Sequence, residues 1–190
     1  MWLYLVFGIL AYLIGSTPSG YFWTKILAEL DIRQLGSGNV GTANVFRSIS
    51  PLAGILTLLT DILKGYLAVT LAYIAAPGTY LPLAAALAVV IGHNWMIFLN
   101  FKGGKGIAVT AGALLAMSFW LAFVVFALMA FLILPLRDAN IAGILGLYSL
   151  PVALTIFAGS LWGFLIGAAW AGLSTLKYGP DFERFRLMIP

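Results

Sequence analysis

Apolar residues run along this chain in long stretches, from about Trp2 to Trp23, Pro51 to Ala76, Tyr80 to Leu99, Ile107 to Leu136 and Ile141 to Leu176, divided by polar segments. Strands of a membrane barrel would alternate apolar and polar residues, which these stretches do not, so the pattern predicts helices. One crossing of the hydrocarbon core takes about 20 residues at ~1.5 Å each. The last two stretches are much longer than that. Each reads as two short or tilted helices, with turns near Met117 to Trp120 and near Ala158 to Gly159, making seven spans.

Charge tests that count independently. With seven spans and the N-terminus outside, the inner segments hold Lys25, Arg33, Arg47, Lys102, Lys105, Arg137, Lys177, Arg184 and Arg186, nine of the ten basic residues. The tenth, Lys64, lies inside the second span, and outer turns such as Pro77 to Thr79 carry none. A single crossing from Ile107 to Leu136 would put Arg137 and the basic tail outside, against the positive-inside rule. The expectation is an all-α integral membrane protein: a seven-span helical bundle, N-terminus outside and C-terminus cytoplasmic, multi-pass in the cell's cytoplasmic membrane.

Composition agrees, at 63% hydrophobic and 8% charged, against roughly a quarter charged in soluble domains. That excludes a water-soluble globule. The N-terminal MWLYLVFGILAYLIG has no basic leader, so it reads as the first membrane helix and not a removed signal. No repeat or soluble domain interrupts the chain, and residues 1–190 read as a single polytopic membrane domain. With no Cys and one His, disulfides, thiol chemistry and a Cys/His zinc cluster are excluded. No metal, cofactor or nucleic-acid partner is expected.

The segment Asp31 to Arg47, DIRQLGSGNVGTANVFR, is dense in Gly, Ser, Asn and Thr beside a membrane, where irregular backbone must be buried in protein or line a wet cavity. Gly36, Gly38 and Gly41 satisfy G-x-G-x-x-G, with Asp61 twenty residues on, but a dinucleotide fingerprint needs a strand and a βαβ unit around it. Asp61 instead falls in an apolar helix. What survives is local: glycines allow close backbone approach, and N–H groups at a helix start can cradle an anion. Ser37, Asn39, Thr42 and Asn44 add short donors and Arg47 a bidentate fork for phosphate. The bland alternative is a helix-capping loop whose arginine snorkels to lipid headgroups.

A second loop, Gly92 to Gly106, sets Lys102 and Lys105 around Gly103 and Gly104. It is no Walker A motif, because Leu99 stands where the first glycine belongs and Gly106 replaces the Ser/Thr that holds magnesium. Two such loops on one face suggest a site for one or two phosphate groups; an ordinary positive-inside turn is the alternative for Lys102. His93 reads equally as a general base near neutrality or as a packed, hydrogen-bonded residue. Asp61 and Lys64, three apart on one helix face, can pair, which lowers the cost of holding both in lipid; a structural ion pair pinning the loop helices is the preferred role. The aromatics read as lipid-facing or interfacial.

Taken together, Gly36-Ser37-Gly38-Asn39-x-Gly41-x-x-Asn44-x-x-Arg47, Asp61-x-x-Lys64-Gly65, and Gly92-His93 followed by Phe98-x-x-Phe101-Lys102-Gly103-Gly104-Lys105-Gly106 with Thr110 resemble the PlsY family. These bacterial membrane acyltransferases use acyl phosphate to acylate glycerol 3-phosphate. The resemblance covers the first 110 residues and implies seven spans with the motifs on the cytoplasmic side. It implies Ser37, Arg47 and Lys105 as the catalytic phosphate-holding residues, and acyl phosphate, glycerol 3-phosphate and membrane lipid as partners. The second half departs from the family pattern. Arg137-Asp138-Ala139-Asn140-Ile141-Ala142-Gly143 replaces a serine-rich stretch, and the tail from Leu173 to Glu183 lacks the His and Asn that help bind acceptor in the family. The expected activity is therefore transfer of a fatty acyl group to glycerol 3-phosphate, giving lysophosphatidic acid and phosphate. A divergent member with another acceptor or no turnover is the second reading, and a small transporter is the reading from another class.

Overall fold

The computed structural model describes residues 1–179 together with Asp181 and Arg186. The remaining tail positions, Glu183 and Arg184 among them, lie outside the described residues. Among the described residues the regular structure is helical, in two compact units, Met1–Ala116 and Met117–Pro190. Five helical stretches are long and apolar enough to cross a membrane: Trp2–Ala28, Pro51–Ala75, Leu81–Leu99, Phe119–Leu136 and Ala139–Ala158. Ile107–Met117 and Leu161–Thr175 are shorter apolar helices.

In the first unit, α1 (Trp2–Ser16) and α2 (Ser19–Ala28) come from the stretch expected to end at Trp23. Pro18 explains the break. It brings no N–H to the helix ladder and disfavours helical geometry at the residue before it, and Thr17 has ψ 119°. Continuous apolarity hid this interruption, and the segment also runs further than expected, to a left-handed Glu29. After the loop, α3 (Thr42–Ser48) leads into α4 (Pro51–Ala75), which starts with Ser50 accepting from Ala53 N–H at 3.2 Å and proline in the first turn. Next come α5 (Leu81–Asn94) and α6 (Ile107–Met117).

Small residues let these helices touch backbone to backbone, the usual adhesive between membrane helices. A Cβ on Gly15 would collide with the Val89 carbonyl, and one on Gly92 with the Tyr12 carbonyl, so α1 lies hard against α5. Gly65 meets Val109 and Gly112 meets Ile62 in the same way, joining α4 to α6. Tyr12 donates to the Trp95 carbonyl at 2.8 Å and Ser16 to the Gly92 carbonyl at 3.3 Å, tying the end of α1 to the end of α5.

The second unit contains α7 (Phe119–Leu136), α8 (Ala139–Leu147), α9 (Leu150–Ala158) and α10 (Leu161–Thr175). Helix breaks fall at both places expected to divide the over-long apolar stretches, at Ser118 and at Gly159–Ser160. Ser118 caps α7 by accepting from Leu121 N–H, and Gly159 has φ +59°. Asp138 caps α8, accepting from Asn140 and Ile141 N–H at 2.8 and 3.1 Å. Gly163 and Gly167 press α10 onto the Leu154 and Leu150 backbone. Beyond α10, burial pushes the Tyr178 hydroxyl well above the usual phenol range.

Candidate active site

The two polar loops of the first unit rest on one small apolar cluster. Ile32, Val40 and Val45 from the first loop and α3, Ala53 from α4, and Met96 and Leu99 from the second loop are buried together, with Tyr21, Leu35 and Ile49 packed against them. Apolar side chains set among polar loop residues thus have a definite destination. Fully burying one such side chain is worth about 1.5 to 3 kcal/mol, which keeps both loops docked without a regular backbone ladder. Above the cluster lies a cleft of about 460 Å³, lined by Asp31, Arg33, Gln34, Ser37, Gly38, Val40, Leu99, Asn100, Lys102 and Gly103.

The first loop is folded by Asn44. Its Oδ1 accepts from Ser37 N–H at 3.0 Å and Ser48 Oγ at 3.2 Å, while Nδ2 donates to the Leu35 and Asn39 carbonyls at 3.0 and 2.9 Å. Two donors and two acceptor sites are all an amide possesses. Asn44, buried at 3% exposure, is therefore a scaffold of the loop in this structure. Gly36 and Gly38 flank Ser37 at φ +56° and +70°, backbone that glycine adopts without strain. A Cβ on Gly36 would also strike Asn44 Oδ1 and Ser48 Oγ. Asn39 Oδ1 accepts from Gly41 N–H at 2.8 Å just before α3 begins, and Thr42 Oγ1 is buried in its first turn. Arg47, in the last turn of α3, is exposed and does not line the cleft.

Arg33 is the cation that the sequence did not single out for the site. It grips Asp31 through Nε at 2.9 Å and Nη2 at 2.6 Å, and its guanidinium lies 5.1 Å from the Tyr21 ring centre. The side-chain hydrogen bond from Arg33 holds the Asp31 carboxyl below its ordinary range, against a smaller opposing effect of desolvation. Lys102, the other cation on the cleft wall, has no ion-pair partner among the described residues.

The second loop turns through two consecutive left-handed residues, Asn100 (φ +53°) and Phe101 (φ +60°). Asn tolerates this region, whereas Phe does so at a cost of roughly 1 to 3 kcal/mol. The turn is held by Phe101 N–H to the Met96 carbonyl at 2.8 Å and Lys102 N–H to the Leu99 carbonyl at 3.1 Å. Gly103 and Gly104 then lie on the end of α5. Gly104 N–H donates to the His93 carbonyl at 3.0 Å, and a Cβ on Gly103 would collide with that carbonyl. Gly106, at φ +82°, sits over the Asn94 side chain. Lys105, between them, is half-buried and is not on the cleft wall. Asn94, 1% exposed, was not picked out from the sequence. Its one legible signal is an amide next to His93 at the end of an apolar helix.

Beneath the loops, Asp61 and Lys64 do pair, at 2.9 Å and almost fully buried. His93 is 3% exposed and is absent from the cleft wall. The structure thus brings Ser37, Gly38, Lys102 and Gly103 to one cleft, leaves Arg47 and Lys105 off its wall, and sets His93 below it.

These features define a multi-pass helical membrane protein with a polar cleft between two glycine-rich loops. The family model described as Glycerol-3-phosphate acyltransferase matches residues 5–187. Glycerol-3-phosphate acyltransferase 1 of Moorella thermoacetica is 38% identical over 180 residues, covering 94% of this chain and 92% of the relative. That of Thermotoga petrophila is 39% identical over 180 residues, covering 94% and 91%. Among solved structures, PlsY, an integral membrane glycerol 3-phosphate acyltransferase, overlays in its glycerol 3-phosphate form with TM-score 0.87 at 29% identity, covering 97% of this chain and 92% of that one. Its lysophosphatidic acid form gives 0.85 at 28%. The chain belongs to the glycerol-3-phosphate acyltransferase family, and it is a membrane acyltransferase of phospholipid synthesis. The match extends through the second half, beyond the 110 residues that carry the motif resemblance, and sets the transporter reading aside.

Proposed function

We propose that the donor is an acyl phosphate, that the acceptor is glycerol 3-phosphate, and that the two glycine-rich loops hold their phosphate groups at the cytoplasmic face. The observation that carries this reading is the docking of both loops on one apolar cluster beneath a cleft bearing Ser37, Gly38, Lys102 and Gly103. Arg47 and Lys105 supply further charge for phosphate from α3 and from the second loop. Asn39, Thr42, Gly41, Gly104 and Gly106 shape the loops around the ligand, and Asn44 acts through the backbone it binds.

Acyl phosphate carries its own leaving group. The acceptor hydroxyl oxygen bonds to the carbonyl carbon, the carbon–oxygen bond to phosphate breaks, and the departing phosphate takes the hydroxyl proton. Positioning and charge stabilisation therefore suffice, with no covalent enzyme intermediate. The acyl tail lies among apolar helices. Glycerol 3-phosphate is the substrate form in which a solved relative at 29% identity is found, which supports the same acceptor here.

The chain works as one membrane domain with seven crossings, the N-terminus outside and the site cytoplasmic. The positions of nine basic residues support this. The 11 residues of α6 rise only about 16 Å, short of a full crossing, which supports a second loop set below the membrane surface, where irregular backbone must line a wet cleft. In this cysteine-free chain, a membrane-impermeant thiol reagent is expected to reach Ser37→Cys and Ala139→Cys from the same side. Labelling from opposite sides would overturn the count.

The tail lacks the His and Asn that the family resemblance assigns to acceptor binding. Binding energy for the acceptor is then missing, so turnover is expected at a higher KM for glycerol 3-phosphate than in a relative carrying both, with donor binding unimpaired. Purified protein with palmitoyl phosphate and a titration of phosphorylated polyols tests this. Saturation at equally low glycerol 3-phosphate would show those residues to be dispensable, and acylation of a different polyol would overturn the acceptor.

A further inference from the structure

One carboxylate in the first unit touches the supports of both loops. Asp61, on α4 and 2% exposed, accepts from Ser19 Oγ at 2.7 Å and lies 2.9 Å from Lys64 Nζ and 3.7 Å from His93 Nδ1, all through Oδ1. Lys64 in turn donates to the Thr17 carbonyl at 2.9 Å, at the Pro18 break. Ser19 opens α2, whose far end runs into the first loop. His93 stands in the last turn of α5, and the other edge of its ring, Nε2, faces Gly104 so closely that a Cβ there would collide with it. Contacts therefore run from the root of the first loop, through Asp61 and His93, to the backbone of the second.

A buried ion pair is weak evidence of stabilisation in itself, because desolvation of the two charges offsets their attraction. The connections made here point to another use. We propose that Asp61 is a positioning residue of the acyl transfer site: it fixes Ser19 and the His93 ring to one point and so sets the separation of the Ser37 loop from the Gly104 loop. The Asp61 carboxylate faces the Nδ1 edge of the ring across 3.7 Å, and the Nε2 edge faces Gly104. His93 then supports the second loop from below. It is not the base that removes the acceptor proton, since its ring is buried under Gly104 and away from the cleft wall. Small displacements of a loop that orients a reacting group cost rate out of proportion to their size.

This rests on the two-loop phosphate site proposed above, and a double-mutant cycle tests it separately from that site. The full-length protein is purified with Asp61→Asn, His93→Gln and the pair, and kcat and KM are measured for palmitoyl phosphate and glycerol 3-phosphate. Each single variant is expected to lower kcat/KM about ten-fold, and the pair to lower it no further than the worse single variant, because both break the same support. Multiplication of the two losses would overturn the proposal. Asp61→Asn with Lys64→Gln removes both charges at once. A merely structural ion pair predicts recovered turnover in that variant, whereas positioning predicts that turnover stays low; recovery would also overturn the proposal. If Asp61→Asn does not fold, Ser19→Ala with His93→Gln gives the same cycle through an intact Asp61, with non-multiplying losses expected and multiplying ones contradicting it. Undiminished turnover in Arg47→Ala and Lys105→Ala would instead sink the phosphate site and leave the coupling result standing.

Discussion

Arg47→Ala and Lys105→Ala are each expected to cut acyl transfer roughly ten- to 150-fold while the protein still folds, because each loses charge-assisted hydrogen bonds worth about 1.5 to 3 kcal/mol. Neither side chain belongs to the apolar cluster that docks the loops. Arg47 is exposed on α3 and belongs to no part of the apolar cluster, while Lys105 is half-buried between two glycines. Arg47→Lys separates charge from geometry. A point charge keeps the attraction but loses the bidentate fork, so an intermediate rate is expected. Phosphate release by detergent-purified variants, together with their melting temperatures, makes the measurement. Near-normal turnover in both alanine variants would remove these residues from the site. Loss in Lys102→Ala alone would move the bound anion to the cleft wall between Arg33 and Lys102.

Much of this architecture is legible in the sequence because lipid imposes strong rules. Stretches too long for one crossing are expected to divide, and helix breaks stand at Ser118, an N-cap, and at Gly159, a left-handed residue. The rejection of a dinucleotide fingerprint also fits the local structure, since Gly36, Gly38 and Gly41 precede a helix of seven residues and no strand is found among the described residues. The break at Pro18 was harder to read, because a proline within a continuous apolar run carries no length signal of its own. Side chains that act across helices were harder still. Asp61 and His93 lie 32 residues apart in sequence on different helices, and no local spacing encodes their approach to 3.7 Å. Asn44 looked like a ligand from composition alone. Only the geometry shows its amide saturated, by three loop backbone groups and the Ser48 hydroxyl. Arg33 and Asn100 were passed over because one resembles any positive-inside residue and the other any loop amide, yet both line the cleft.

The family assignment fixes the type of enzyme, whereas the donor follows from the chemistry proposed for the loops. With no cysteine in the chain and no covalent intermediate in the proposed path, the enzyme depends on a donor that brings both an activated carbonyl and a phosphate for the loops to hold. A thioester such as palmitoyl-CoA has an activated carbonyl but releases a thiolate, so the charges gathered around the glycine loops would have no leaving phosphate to hold. The difference is expected to be large, about a hundred-fold or more in kcat/KM, given that removal of one such stabilising donor elsewhere costs roughly 10² to 10³ in rate. Purified protein is given glycerol 3-phosphate with either palmitoyl phosphate or palmitoyl-CoA, and lysophosphatidic acid and the released phosphate or thiol are measured together. Equal amounts of lysophosphatidic acid and phosphate from palmitoyl phosphate, with next to no product from the thioester, are predicted; comparable turnover of palmitoyl-CoA, or none of palmitoyl phosphate, would contradict the account.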